Sequence, residues 1–433
     1  MINNKSIDCV NKSKYKNFTI PLYDSYCFSN INGTIKELFN IKSERKLPID
    51  VLNENNFENN KVIFFLVDAF GWCFYEKYKD YSKFLKEIEE NGVVSKITSQ
   101  FPSTTTAHVT TALSDKRVDE HGLYEWFYYD KQVDDIVTAF LFNRARDKEI
   151  GTLENYNIDI KEFLPQDSIF KILKENKIES KIYQPSYINN SIYTKTMGNF
   201  SKIIGYESYK DLFENLSINI KQDNKKEYIY VYLPEIDGIA HDKGCESKEF
   251  YDQMIKFLKA LDKFYLKVKE CEKISILISA DHGQIETDLN NKRYINKIIP
   301  NIDNFLIKNS KGYNLPGGYC RDLFLKVKEE SLKECKTLIE KNLKDEVEVL
   351  TYEQLIQYGF FKEGSTKLKE RCGNILLLPK GKNNIWWHEK GVFEIRCKGV
   401  HGGASKEEME IPFLYYSLWR LENAFRGVII VIL

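Results

Sequence analysis

Histidine is scarce in this chain of 433 residues, with 6 in all, and its 9 cysteines never form a CxxC pair. That spacing excludes a zinc ribbon and offers no disulfide framework, so the thiols scattered from Cys9 to Cys397 read as mostly reduced. An excess of charge of either sign is also missing, since 63 Lys+Arg balance 63 Asp+Glu. A general binder of polymeric nucleic acid needs a cationic surplus to neutralise phosphates, so that function class is set aside, although a local basic pocket is not. No run approaches the roughly 18 apolar residues of a membrane span. The opening residues, MINNKS, lack the apolar core of a secretory signal. A soluble, cytoplasmic protein with no membrane partner is expected. The apolar segment 427–433 is far too short to span a bilayer and reads as a terminal strand or a docked end. Internal repeats, heptads and long low-complexity tracts are absent.

What is present is enough apolar sequence, 42% of residues, to bury a sizeable core. The length fits two or three domains, or one large α/β domain with insertions. Three continuous apolar runs stand out: Lys61-Val-Ile-Phe-Phe-Leu-Val, Tyr228-Ile-Tyr-Val-Tyr-Leu and Ile274-Ser-Ile-Leu-Ile-Ser. Runs of this kind read as strands buried on both faces, as a parallel sheet requires. Helical patterns lie near 33–39, 81–90 and 248–269. The alternation predicts an α/β fold with a mostly parallel central sheet flanked by helices. After Gln284 the texture changes to a strand at 322–327, a helix at 330–342, a strand at 347–350 and a helix at 352–358. We read residues 285–394 as an inserted, smaller α+β cap, and residues 1–284 with 395–433 as the catalytic α/β domain.

Each apolar run gives out beside an acid: Asp68, Asp237 and Asp281. In open α/β sheets ligands bind beyond the carboxyl ends of the strands, so three such acids point to one shared site. Two of them have histidine nearby. Asp237-Gly-Ile-Ala-His241 separates carboxylate and imidazole by one helical turn, and Asp281-His282-Gly283 offers adjacent oxygen and nitrogen donors. A third imidazole, His401, precedes two glycines on a loop. Singly each motif has an ordinary explanation as a surface pair, a cap or a turn; their joint occurrence at strand ends favours ligation. Mixed Asp/His donors suit zinc, with manganese or iron as substitutes. A hydroxyl run, Phe101-Pro-Ser-Thr-Thr-Thr-Ala, precedes a helical stretch at 107–113. There, backbone N–H groups and the helix dipole would face a bound anion, although Ser and Thr at that place also serve as plain N-caps.

The chain resembles the alkaline phosphatase superfamily, in its nucleotide pyrophosphatase/phosphodiesterase-like branch. The matching pieces, in the family's order, are Val67-Asp68-Ala-Phe-Gly71, Phe101-Pro-Ser-Thr-Thr105, Glu120-His121-Gly122, Asp237-x-x-x-His241, Asp281-His282-Gly283 and His401-Gly-Gly-Ala-Ser-x-x-Glu-Met409. The resemblance implies two Zn2+ ions, or Mn2+ or another divalent ion in their place. Asp237, His241 and His401 would hold one ion, and Asp68, Asp281, His282 and the Thr105 oxygen the other. It implies hydrolysis of a phosphodiester or nucleotide pyrophosphate through a covalent phosphothreonine, with a small phosphorylated or nucleotide substrate. Thr105 is preferred as nucleophile because it falls three residues after Pro102 and ten before Asp115, which stands where the family usually has glycine. Thr104 and Thr106 remain alternatives.

One position departs from the family. Where an asparagine shortly after the His-Gly pair donates to a phosphoryl oxygen, this chain has Trp126, which either stacks on a base or fills core. Backbone N–H groups near Thr106, or the side chains of Arg144 or Arg321, are candidate replacements. The departure keeps a phosphomonoesterase or phosphonate hydrolase open as an alternative, with a non-catalytic binding protein on the same fold behind them. His121 is expected to fix a loop, and His108 and His388 are not needed as ligands.

Overall fold

The computed structural model describes residues 1–52 and 59–418, so the segment 427–433 lies outside the described residues. Seven strands form the main sheet: β1 (Lys61–Val67), β2 (Val93–Thr98), β3 (Glu179–Pro185), β4 (Lys202–Tyr206), β5 (Glu227–Leu233), β6 (Ile274–Ser279) and β7 (Glu410–Leu418). Their order across the sheet is β2-β7-β6-β1-β5-β3-β4. The three apolar runs lie side by side in the middle, with Phe65 opposite Val231 on one side and Ile278 on the other, both in parallel register. Every residue of β1 is buried, which is why that run shows no polar alternation. Only β7 runs against the rest, antiparallel to both β6 and β2.

Three helices matter most for the site: α1 (Thr105–Ser114), α2 (Glu235–Lys243) and α3 (Lys248–Val268). The longest, α3, is started by the Ser247 side chain accepting from Phe250 N–H, and its stripe Phe250, Met254, Phe257, Leu261, Phe264 and Val268 is buried against the sheet layer. At the other end of α1, Asp115 adopts φ +63°, a left-handed cap that favours glycine; here Lys36 holds its carboxylate at 2.6 Å. Among the described residues no helix is long and apolar enough to cross a membrane, and the nine cysteines are free.

The region expected as a cap contains a second sheet of three antiparallel strands, Leu323–Leu325, Ile375–Pro379 and Val347–Thr351, with the helix Leu332–Leu343 packed on it. Its pleat divides the side chains between two cores. Leu323, Leu325, Ile375, Leu377 and Val349 join a smaller cluster with Ile339, whereas Phe324, Leu376, Leu378 and Leu350 belong to the main one. The smaller cluster also takes Ile136 from an antiparallel meander (Tyr128–Asp130, Asp135–Thr138, Asn143–Arg144), far from 285–394 in sequence. The insert is therefore continuous with the main body through one face of its sheet.

Candidate metal centre and nucleophile

All the expected ligands gather at the carboxyl edge of the main sheet. Asp68 follows β1 directly, Asp281 and His282 lie two and three residues past β6, and Asp237 and His241 share one face of α2, which starts where β5 ends. His401 arrives from the opposite direction: because β7 is reversed, the loop before it opens at the same edge. Close backbone packing fixes these segments. A Cβ on Gly283 would sit 2.1 Å from the Glu407 carbonyl oxygen, and one on Gly71 would sit 2.5 Å from the Gly283 Cα.

Two sets of donors lie within 4.8 Å of one another, Asp68–Asp281–His282 and Asp237–His282–His401. His282 Nε2 is 3.5 Å from both Asp68 Oδ1 and Asp281 Oδ2. His401 Nε2 is 3.8 Å from Asp237 Oδ1, and His241 Nε2 is 3.3 Å from Asp237 Oδ2. The His282 and His401 rings stack at 3.8 Å, so His282 stands between the two sets.

The donor chemistry fits divalent cations. Each imidazole has its Nδ1 on a backbone carbonyl: His241 on Gly399 at 2.7 Å, His282 on Gly283 at 2.9 Å and His401 on Ser103 at 3.1 Å. An Nδ1–H donating outward leaves the Nε2 lone pair facing the centre. Asp281 accepts the Ala69 and His282 N–H groups on Oδ1, while its buried Oδ2 has no hydrogen-bond partner. Burial, then the neighbouring carboxylates Asp281 and Asp237, push the Asp68 carboxyl far above its usual range, and burial likewise raises Asp237 to about 6. Burial holds His282 and His401 far below the ordinary imidazole value, in the neutral, ligating form. His241 differs: burial lowers it, but the Asp237 carboxylate, Cys397 and the Gly399 carbonyl together outweigh that and lift it to about 9. The three acids repel one another, and positive charge at this place would relieve all three.

Thr105 opens α1 beside this cluster. Its Oγ1 is 3.1 Å from His282 Nε2 and 3.4 Å from Asp68 Oδ1. No side chain caps α1 at Thr104, so its first-turn N–H groups remain available to an anion. His108 ties down that turn, with Nδ1 donating to the Thr104 carbonyl at 2.7 Å and Nε2 accepting from Gln100 N–H at 2.8 Å. Thr104 and Thr105 both line the cavity above the cluster, while Thr106 is buried without lining it. His121 fixes the following loop by accepting Leu123 N–H on Nδ1 at 3.0 Å.

The cavity holds about 450 Å³ and is walled on its far side by Trp126, Phe127, Phe140 and Tyr319. Trp126 is half-buried and meets Phe140 edge-on at 6.1 Å, so it forms wall rather than core. The two arginines suggested as phosphoryl donors do not reach this cavity. Arg321 is wholly buried, and its guanidinium lies fork-to-fork on Glu408 at 2.9 Å for both Nε and Nη2, beneath the His401 loop. Arg144 grips Asp135 at 2.7 Å and Tyr156 at 2.9 Å within the meander. Both expectations are corrected for the same reason: each charge is already matched by a buried carboxylate. His388 packs on Tyr294 at 4.9 Å, away from the ligands.

Several contributors escaped the sequence reading. Glu125, 1% exposed, lines the cavity with its carboxyl raised by burial to about 7. Tyr232 donates to Asp68 Oδ2 at 2.5 Å, and Gln284 Nε2 donates to Asp237 Oδ1. Each sits inside or next to a quoted motif, but only the fold shows which way it points.

A mostly parallel sheet with an Asp/His cluster and a hydroxyl at its carboxyl edge is the arrangement expected of the alkaline phosphatase superfamily, and the family match places the chain there. Residues 62–404 match the type I phosphodiesterase / nucleotide pyrophosphatase family, and the chain belongs to it. No curated protein matches the sequence. Among solved structures, an inactive variant of murine ectonucleotide pyrophosphatase/phosphodiesterase 5 in complex with AMP is 17% identical. The match covers 83% of this chain and 88% of that one, with a TM-score of 0.61. The human ectonucleotide pyrophosphatase/phosphodiesterase 5 is 16% identical over 82% and 88% of the two chains, also at 0.61. At such identities the likeness is one of fold.

Proposed function

We propose that this chain hydrolyses a small phosphodiester or nucleotide pyrophosphate through a covalent phosphothreonine at Thr105. The observation that carries the reading is the Thr105 hydroxyl, 3.1 Å from His282 Nε2, at an uncapped helix N-terminus inside the cavity that the ligand cluster floors. Asp68, Asp281 and His282 would hold one divalent cation and Asp237, His241 and His401 the other, zinc being the ion their donors suit best. Bound there, the cations would lower the pKa of the Thr105 hydroxyl and offset charge on the leaving and non-bridging oxygens.

Thr105 Oγ1 gives up its proton to solvent and forms the bond to phosphorus as the bond to the leaving oxygen breaks on the opposite side, and the leaving oxygen takes a proton from solvent. First-turn N–H groups of α1 donate to the phosphoryl oxygens. Water then attacks the phosphothreonine from the vacated side, restoring the hydroxyl and releasing a phosphomonoester. Two in-line displacements retain configuration at phosphorus. The aromatic wall of Trp126, Phe127, Phe140 and Tyr319 suits a flat group such as a nucleobase. AMP, bound by the murine variant, is a molecule of that kind.

Trp126 supports a second reading, because its single indole N–H offers one donor where an amide is usual. A phosphomonoesterase or phosphonate hydrolase would use the same ligands with a differently shaped pocket. Initial rates of the zinc-loaded protein on a p-nitrophenyl phosphodiester and on the corresponding monoester separate the two. We expect a diester preference, with turnover in Thr105→Ala reduced by at least about 10³-fold and both ions retained. A monoester preference would move the assignment to phosphatase, and wild-type rates in Thr105→Ala would remove the nucleophile.

A further inference from the structure

The three ligand carboxylates share a pattern: each has one oxygen held by a hydrogen bond from the protein. For Asp281 the commitment is to backbone alone, the Ala69 and His282 N–H groups on Oδ1, with Oδ2 left unpartnered. For the other two a single side chain does the work, and it is a different one in each set. Tyr232, next to last in β5, donates its phenol O–H to Asp68 Oδ2 at 2.5 Å, leaving Oδ1 toward His282. Its backbone carbonyl is held in turn by the Tyr206 hydroxyl at 2.9 Å. Gln284, 4% exposed, donates its amide to Asp237 Oδ1, which also lies 3.8 Å from His401 Nε2, while Oδ2 faces His241. Its own Oε1 is fixed by the Cys245 thiol at 3.6 Å and by the close approach of Gly399.

A hydrogen bond to one oxygen fixes the rotation of the carboxylate, so these donors decide how its remaining lone pairs face the cations and hold them there before binding. We propose that Tyr232 and Gln284 are positioning residues that tune the two cation positions separately, Tyr232 through Asp68 and Gln284 through Asp237. This rests on the two-cation reading above. Neither residue needs to touch the substrate. The two act through different acids, Asp68 and Asp237.

The test compares zinc affinities of the full chain, by competition with a chromogenic chelator, in wild type, Tyr232→Phe, Gln284→Leu and the double variant. Co2+ absorption spectra report the geometry of each position. Tyr232→Phe removes a single oxygen atom; because Gln284 is buried, Gln284→Met serves as a second replacement if Gln284→Leu misfolds. We expect wild type to take up two ions. Each single variant should weaken one ion by about 10- to 100-fold, change one Co2+ band set and leave the other, and the double variant should show both losses. Two ions bound with wild-type affinity in all variants, or both ions weakened alike by either single change, would overturn the positioning roles. A wild type that binds no divalent ion would overturn the two-cation reading, and this inference with it.

Discussion

Gly283 carries as much of the site as the acid and imidazole before it. A methyl group there would meet the Glu407 carbonyl at 2.1 Å, a backbone atom that has no rotamer by which to yield. Gly283→Ala should therefore move the His282 main chain and cost about 1–3 kcal/mol, seen as a lower melting temperature together with fewer bound ions. Retention of both ions at an unchanged melting temperature would mean that the segment adjusts more freely than its packing suggests. The motifs named Asp68, Asp237, His241, Asp281, His282 and His401, and the fold places these six side chains close together. Orientation was not readable. Arg321 looks on paper like a free cation in a glycine-rich turn, and only the fold reveals Glu408 lying against it.

At the scale of elements, that buried pair is the main support of the His401 loop. Glu408 takes both arms of Arg321 and accepts the N–H groups of Gly403 at 3.0 Å and Ser405 at 3.2 Å. Arg321→Ala leaves an uncompensated buried carboxylate and should lower stability by about 3–5 kcal/mol. Arg321→Met with Glu408→Gln, which removes the charge yet keeps an acceptor for the loop, should recover most of it. Urea unfolding of the three proteins checks both statements. The continuous apolar runs at β1, β5 and β6 made those strands legible within a residue of their ends. β7 was not legible: Pro412 lies inside it, where a central strand normally needs a donor, and its direction depends on neighbours that are hundreds of residues away. The meander was missed for a similar reason, its strands being too short to carry a period.

For the molecule as a whole, the buried charges tie stability to pH in the metal-free protein. Asp68, Asp237 and Asp281 all titrate above their unfolded values, chiefly through burial, and His241 titrates near 9. Groups raised on folding keep protons that the unfolded chain has lost, so their contribution fades as pH climbs through the folded value. The neutral His282 and His401 act in the opposite sense, but only below the ordinary imidazole value. Between pH 6.5 and 9 the chelator-treated protein should thus lose about 1.4 kcal/mol per pH unit for each extra proton held. Zinc should flatten that slope by replacing the protons. Melting curves across this range, with and without chelator, measure it; parallel slopes would mean that the acids are not charged against one another.

The reversed strand has one more consequence. β7 is the only bridge between β2 and the rest of the main sheet, and it lies more than three hundred residues along the chain from β2. During synthesis β2, and with it the start of α1, is made long before the strand that joins it to the rest of the sheet. A chain lacking β7 would therefore leave two sheet edges open, those of β2 and β6, and would free the His401 loop from the edge it shares with the other donors.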